Sequence, residues 1–328
     1  MKRFILYILL FFLIGSLSPA FAQTGKDDVI FKAMQDELHR NLEQLSLPKV
    51  QKPFFISYST GVSRNFEITA TLGAITCSTE KPGHMVGSVK LLLGDYTENS
   101  DSRYLGRHTR VILSMEPDYD ILRQDYWLAT DYAYKNASRE WITKRSMQKR
   151  NIQTGEEVQL PDLVQIEPRQ KIITPQTPFA FDRTAWEENL RELSAIFARY
   201  PELYNSSVRL TGMDMEVYLT TSEGTEVKQP VRVVTLQAEA TARTDDGMQI
   251  KDAFGVTARV PGELPSLAEL KSKIENFAEQ LTALKKAETI DPYYCGPVLF
   301  EGGAAASILR ENLLNQEGLF AYRAPQDP

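Results

Sequence analysis

Apolar residues in this chain are spaced first at the helical period and then at the strand period, and the cycle runs twice, so any fold must first accommodate that order. Between residues 28 and 46, Phe31, Met34, Leu38, Leu42 and Leu45 recur every three or four positions behind Asp27 and Asp28, which predicts an amphipathic helix with an aspartate cap. Pro48 and Pro53 end it. From Phe54 the spacing falls to two, and residues 54–60, 66–72, 86–94 and 109–115 read as four strands. Their connections are too short for a crossover helix, so an antiparallel meander is expected. Residues 119–150 return to helical spacing. Ile121, Leu122, Tyr126, Leu128, Ala129, Tyr132, Ala133 and Ala137 form one broad stripe, and Lys144, Arg145, Lys149 and Arg150 gather at the end, where cations suit the helix dipole.

Residues 151–181 contain Pro161, Pro168, Pro175 and Pro178 with no sustained period, and read as an extended connector. Asp182 then caps a helix whose Trp186, Leu190, Leu193, Ile196 and Phe197 face inward. A second strand-rich block follows, at 207–210, 215–221, 231–242 and 248–260. Its turns are Ser222-Glu223-Gly224 and Asp245-Asp246-Gly247, both hairpin tips by composition. Residues 267–284 are helical again. The expected fold class is α+β, with antiparallel sheets packed by long helices, divided into a layer at 23–150, the connector at 151–181, a second layer at 182–290 and a final segment at 291–328.

The first 22 residues stand apart: Met1-Lys2-Arg3, an apolar run from Phe4 to Ile14, and Ala20-Phe21-Ala22 make a basic n-region, an h-region and an A-x-A site. Cleavage after Ala22 and a periplasmic or secreted product are expected. Gln23 stands where a lipoprotein leader would have cysteine. Loss of Lys2 and Arg3 takes the net charge from −6 to −8. No stretch reaches the roughly 20 apolar residues of a membrane span. An acidic chain with dispersed cations also lacks the positive surface that nucleic acid needs.

The chain has three histidines, His39, His84 and His108, and two cysteines. His39 falls on a polar helix face. His84 and His108 flank strands that could pair, but spacing indicates no third ligand, so no metal site is assigned. Cys77 and Cys295 either form one bridge closing a long loop or stay as two separate small apolar side chains. No G-x-S-x-G elbow supports a serine triad. Asp95, Glu98 and Asp101 lack the glycine-centred spacing of a calcium loop and read as a solvated hairpin. Two segments are more informative. Tyr218-Leu219-Thr220-Thr221 enters the turn Ser222-Glu223-Gly224-Thr225. Residues 291–306, Asp-Pro-Tyr-Tyr-Cys-Gly-Pro-Val-Leu-Phe-Glu-Gly-Gly-Ala-Ala-Ala, run a short apolar strand into a glycine-loosened turn and an alanine-rich helix start, where free backbone N–H groups can hold an anion or pack closely.

With the aromatic region Tyr126 to Lys135 and the helix Trp186 to Tyr200, these segments resemble the TldD/PmbA family, the U62 peptidases or "modulators of DNA gyrase", over roughly residues 28–323. The resemblance implies an N-terminal α+β domain followed by a β-rich C-terminal domain. It also implies zinc-dependent peptidase activity in active members, often as a pair of a TldD-like catalytic subunit and a PmbA-like one. Active members carry HExxxH on a helix, where two imidazoles one turn apart share a zinc and the glutamate activates its water. The matching segment here is Phe300-Glu301-Gly302-Gly303-Ala304-Ala305. Glu301 matches the family glutamate; Phe300 and Ala305 replace both histidines.

Measured against the family the chain is expected to be without the C-terminal β-rich domain, and the expectation is a pseudoenzyme without zinc or other cofactor. It would be a truncated product or a PmbA-like protein that docks on a TldD-like catalytic homologue or on a second copy of itself. Ser222, Glu223, Gly224, Gly296, Pro297, Gly302 and Gly303 are the candidate contacts for substrate or partner, with a peptide as the ligand. A free-standing periplasmic peptide-binding or scaffold protein is the alternative, and an active hydrolase with a site of another kind is the third reading.

Overall fold

The structure, a computed structural model, describes residues 28–101, 108–151, 161–287 and 294–314. The expected leader and residues 291–293 lie outside the described residues. Helix α1 (Val29–Gln44) begins where the Asp28 carboxylate accepts the free N–H groups of Ile30 and Phe31. Three strands follow: β1 (Phe55–Thr71), β2 (Ala74–Leu92) and the short β3 (Thr109–Leu113). Helix α2 spans Tyr119–Asn151, then the connector contributes a three-residue strand β4 (Gln170–Ile172) before helix α3 (Arg183–Ala195) and a 3₁₀ turn. Strands β5 (Leu203–Thr221), β6 (Glu226–Arg243) and β7 (Gln249–Ala258) precede helix α4 (Leu267–Leu284), whose Ser266 and Glu269 form a reciprocal capping box. A last helix, α5, covers Gly302–Leu309.

The meander differs from expectation in strand length. Residues 54–60 and 66–72 are not two strands but parts of β1, 207–210 and 215–221 are parts of β5, and β2 starts twelve residues before the expected strand at 86. In the interruptions of apolar alternation the strands continue on the helix-side rows with Arg64 and with Gly212 and Asp214 in place of large apolar residues. Both expected hairpin tips are present, with Gly224 and Gly247 each at φ 92°, a conformation that costs glycine nothing.

All strands join one sheet in the order β3-β2-β1-β5-β6-β4, with β7 also on β6; every pair is antiparallel except β4 with β6. β1 pairs with β5 from Ser57 opposite Thr221 to Ala70 opposite Val208, so strands from both halves of the chain share the sheet. Even-numbered β1 residues all point to one face. At one end of that face Ile56 and Tyr58 pack under α1 and α2; at the other Phe66, Ile68 and Ala70 pack under α3 and α4. Between the two clusters lies a charged belt. Asp214 accepts from Arg64 at 3.1 Å and Arg232 at 2.7 Å, and Lys228 reaches the α1 cap Asp28 at 2.7 Å. The connector crosses here: the Thr177 carbonyl accepts from Arg232 at 2.6 Å, and Phe181 stacks on Phe66.

Phe66 lies directly opposite Gly212, and a Cβ at 212 would sit 2.1 Å from its ring. That strand glycine is therefore a packing requirement. Gly212→Ala should lower unfolding free energy by about 2 kcal/mol through displacement of the Phe66–Phe181 stack. Urea unfolding checks it: an unchanged midpoint would show that the ring has room to move.

Candidate functional site

A cleft of about 720 Å³ lies between β3 and α2. Its position follows from how α2 divides its surface. Leu122, Tyr126, Ala133, Tyr134 and Ala137 are buried against the sheet. One step round the helix, Asp125, Leu128, Tyr132, Asn136, Arg139 and Thr143 recur every three or four residues and face the cleft, across from His108, Thr109, Arg110 and Val111. A buried polar network fixes the helix. The Tyr58 and Thr130 hydroxyls lie 2.6 Å apart, Asn41 donates to the Tyr58 hydroxyl at 2.9 Å, and Thr60 bonds the Tyr126 hydroxyl. Burial drives both phenols well above their ordinary pKa, so they stay neutral hydrogen-bonding groups. Glu37, only 2% exposed, is held by Arg40 and by Arg123 of α2 at 3.2 Å.

The cleft has an apolar floor, Val111, Leu128, Ala129 and Tyr132, and ionisable groups at its ends. Asp125 is pushed up by burial. Glu140 is pushed up to about 7, first by burial and then by the charge of Asp101, with Arg139 pulling the other way. His108 is held down by burial and by Lys90, opposed by Asp101. Among the described residues neither Asp125 nor Glu140 has an ion pair. Such a cleft can seat an apolar chain and exchange a proton near neutrality, but it offers no set of metal ligands: no group of three or more His, Cys, Asp or Glu side chains that could hold a metal occurs among the described residues.

His84 and His108 are not neighbours. Thr109 pairs with Val89, so the two histidines are separated by about six strand positions, roughly 20 Å. The Asp95 loop closes on itself, its carboxylate accepting from Thr97 and Glu98 N–H, while Asp101 pairs with Lys90 at 2.7 Å. The Ser222-Glu223-Gly224 turn is engaged inside the fold. Ser222 Oγ accepts from Ile56 N–H at 3.0 Å, and Glu223 accepts from Tyr96, whose phenol is pushed up to about 12 by that carboxylate and by burial. Gly296, Pro297, Glu301, Gly302 and Gly303 lie on the 294–314 segment, where no residue of α5 is buried. The Tyr294 hydroxyl donates to the Pro297 carbonyl at 3.1 Å. Among the described residues no hydrogen bond or ion pair joins this segment to the Ser222 turn. The cleft went unread in the sequence because Leu128 and Tyr132 look like members of the core stripe; both are about half exposed.

No family model matches the sequence, and no curated protein matches it. Solved structures with a similar arrangement include a protein described as a modulator of a DNA gyrase from Thermotoga maritima, at 14% identity and TM-score 0.46, covering 80% of this chain and 50% of that one. TldE from Thermococcus kodakarensis is similar at 11% identity and TM-score 0.47, covering 76% and 47%. A protein described as a modulator of DNA gyrase from Bacteroides thetaiotaomicron is similar at 12% identity and TM-score 0.44, covering 77% and 48%. The chain spans about half the length of each. Its own fold is mixed helix and antiparallel sheet, and no described helix is long and apolar enough to cross a membrane.

Burial holds folded Glu140 above the ordinary carboxylate value. Its protonated form therefore contributes stability that is present below pH 4.5 and lost as pH rises through 7. Glu140→Gln should match the parent near that lower pH and exceed it by roughly 2 kcal/mol above about pH 8. Urea titrations at the two pH values check this, and a difference that does not change with pH would contradict it.

Proposed function

We propose that this chain is a non-catalytic, TldD/PmbA-like α+β protein that acts after export and holds an extended polypeptide along β3. The observation that carries the reading is the cleft's place beside a terminal strand. β3 has β2 on one side and no described strand on the other, and the consecutive residues His108 to Val111 line the cleft together with Leu128, Ala129 and Tyr132 of α2. An added strand would satisfy the outward backbone groups of β3 over about 17 Å while alternate side chains enter the cleft. Leu128 and Tyr132 are the anchors. Asp125 and Glu140 set what the ends accept.

The lack of catalysis is supported by chemistry. Phe300 and Ala305 stand where the family pattern has zinc ligands, and the exposed Glu301 has no histidine beside it in sequence. Export and removal of the leader after Ala22 are supported by the n-region, h-region and A-x-A order. The partner in this reading is the source of the bound segment, an unfolded chain or a TldD-like subunit, and residues 23–150 form the part that binds it.

A panel of unstructured peptides of seven to ten residues, alternating apolar and polar positions, tests the assignment by fluorescence anisotropy. The best should bind with a Kd of about 10 μM, near −7 kcal/mol. Leu128→Asp and Tyr132→Asp should each weaken it at least about tenfold without moving the unfolding midpoint, since both side chains face solvent. With added zinc the peptide should stay uncleaved and the protein should not retain metal through gel filtration. Failure of every peptide to bind would overturn the binding reading; zinc retention with cleavage would overturn the non-catalytic one.

A further inference from the structure

The middle of the sheet is inverted. On the helix side its central rows carry Arg64, Asp214 and Arg232 under the connector. On the other side the strand registers align Met213, Met215, Val217 and Leu219 of β5 with Val231 and Val233 of β6. All six are part-exposed, because both core clusters and the helices that form them lie on the opposite face. A sheet face left to water would normally place polar residues at these positions. An apolar patch at the centre of the strands instead marks a contact surface.

The same chain carries an apolar segment without a seat. In 294–314, Val298, Leu299, Phe300, Leu309 and Leu314 are all more than half exposed, Leu299 at 82%. The two cysteines mark the two surfaces. Cys77 pairs with Thr69 on the open face; its neighbour Ser78 turns to the helix side, bonding Glu187 of α3 at 2.6 Å. Cys295 begins the unseated segment and is exposed. Both are free thiols in this structure.

Chain length permits the two to meet. Lys285, just past α4, contacts Asp245 in the β6–β7 turn at 3.6 Å. From that turn to Cys77 is about 27 Å, from strand rise along the sheet and strand spacing across it. The ten residues from Lys285 to Cys295 reach about 33–36 Å when extended. Beyond Cys295, six extended residues and the eight-residue helix α5 cover about 32 Å, and the open face from the Cys77 row to the Leu219 row measures about 33 Å.

We propose that residues 294–314 dock on the open sheet face of their own chain and are fixed there by a Cys77–Cys295 disulfide. The bond forms by thiol–disulfide exchange. The two thiols give up two protons and two electrons, and one external disulfide, oxidised glutathione or a disulfide oxidoreductase, is reduced to two thiols. The oxidising surroundings rest on the export reading above, whereas the reach and the two surfaces do not. Closure covers Met213 and Met215 and makes the open face unavailable; reduction exposes it.

The test uses the full chain, reduced and then placed in a glutathione redox buffer. Intact monomer should lose the mass of two hydrogens, and a digest made without reduction should contain the Cys77–Cys295 linked peptide. Sulfoxide formation at Met213 and Met215 under dilute peroxide should be at least about fivefold slower in the bridged monomer than in Cys77→Ser. Leu299→Asp with Phe300→Asp, both at exposed positions, should slow bridging at least about tenfold by lowering the effective concentration of Cys295. A disulfide-linked dimer, separate glutathione adducts on the two thiols, or a bridge that leaves methionine oxidation unchanged would each overturn the proposal. Amino-terminal sequencing of the protein from its native host tests export independently: a chain starting at Gln23 upholds that reading, and a retained leader refutes it without touching the redox chemistry.

Discussion

The pairing of β1 with β5 is the constraint on which the rest of the molecule depends. Its partners are far apart in sequence, from Ala70 with Val208 to Ser57 with Thr221, and the ladder runs through fourteen positions. Closing such separations costs chain entropy before any contact repays it, so this ladder should form late and hold both halves together once formed. It makes one long sheet out of two strand-rich blocks. It also sets α1 to α4 on the same face, leaves β3 at the margin beside α2, and leaves the centre of the opposite face uncovered.

Ionic contacts place the elements that the ladder brings together. Asp28 both caps α1 and receives Lys228 of β6, so the start of the first helix is tied to the second half of the chain. Glu37 sits in the core with two guanidinium partners, one from its own helix and one from α2. Replacing a buried pair by apolar groups is often neutral, but removing one partner strands the other, so such pairs fix geometry more than they add stability. Here the geometry fixed is the angle of α2 to the sheet, and with it the width of the cleft along β3.

Much of this was legible in residue order, and the limits have physical causes. Helical spacing located α1, α2, α3 and α4 closely, because an amphipathic stripe buried on one side leaves its period in the sequence. The aspartate caps and the two glycine turns were equally local signals. Strand lengths were not: Thr76, Ser78 and Glu80 continue β2 with polar residues because neither face is a closed core there, and Arg64 continues β1 across the charged belt. The β1–β5 ladder has no local signature at all. The cleft was hidden for a related reason, since its wall comes from two elements and Leu128 is indistinguishable in sequence from the buried Leu122. The Ser222 turn stands out in the sequence as a candidate contact, and in the structure its polar atoms bond Ile56 and Tyr96.

Hydrogen–deuterium exchange of the intact protein, with and without the best-binding peptide, probes the central claim at the backbone itself. An added strand must slow exchange of alternate amides in Thr109–Leu113, because their outward N–H groups gain acceptors, while the 294–314 segment stays unchanged. Protection confined to β3 and the cleft wall of α2 is the result this account predicts. Peptide binding that leaves β3 exchange untouched and protects another surface would contradict it.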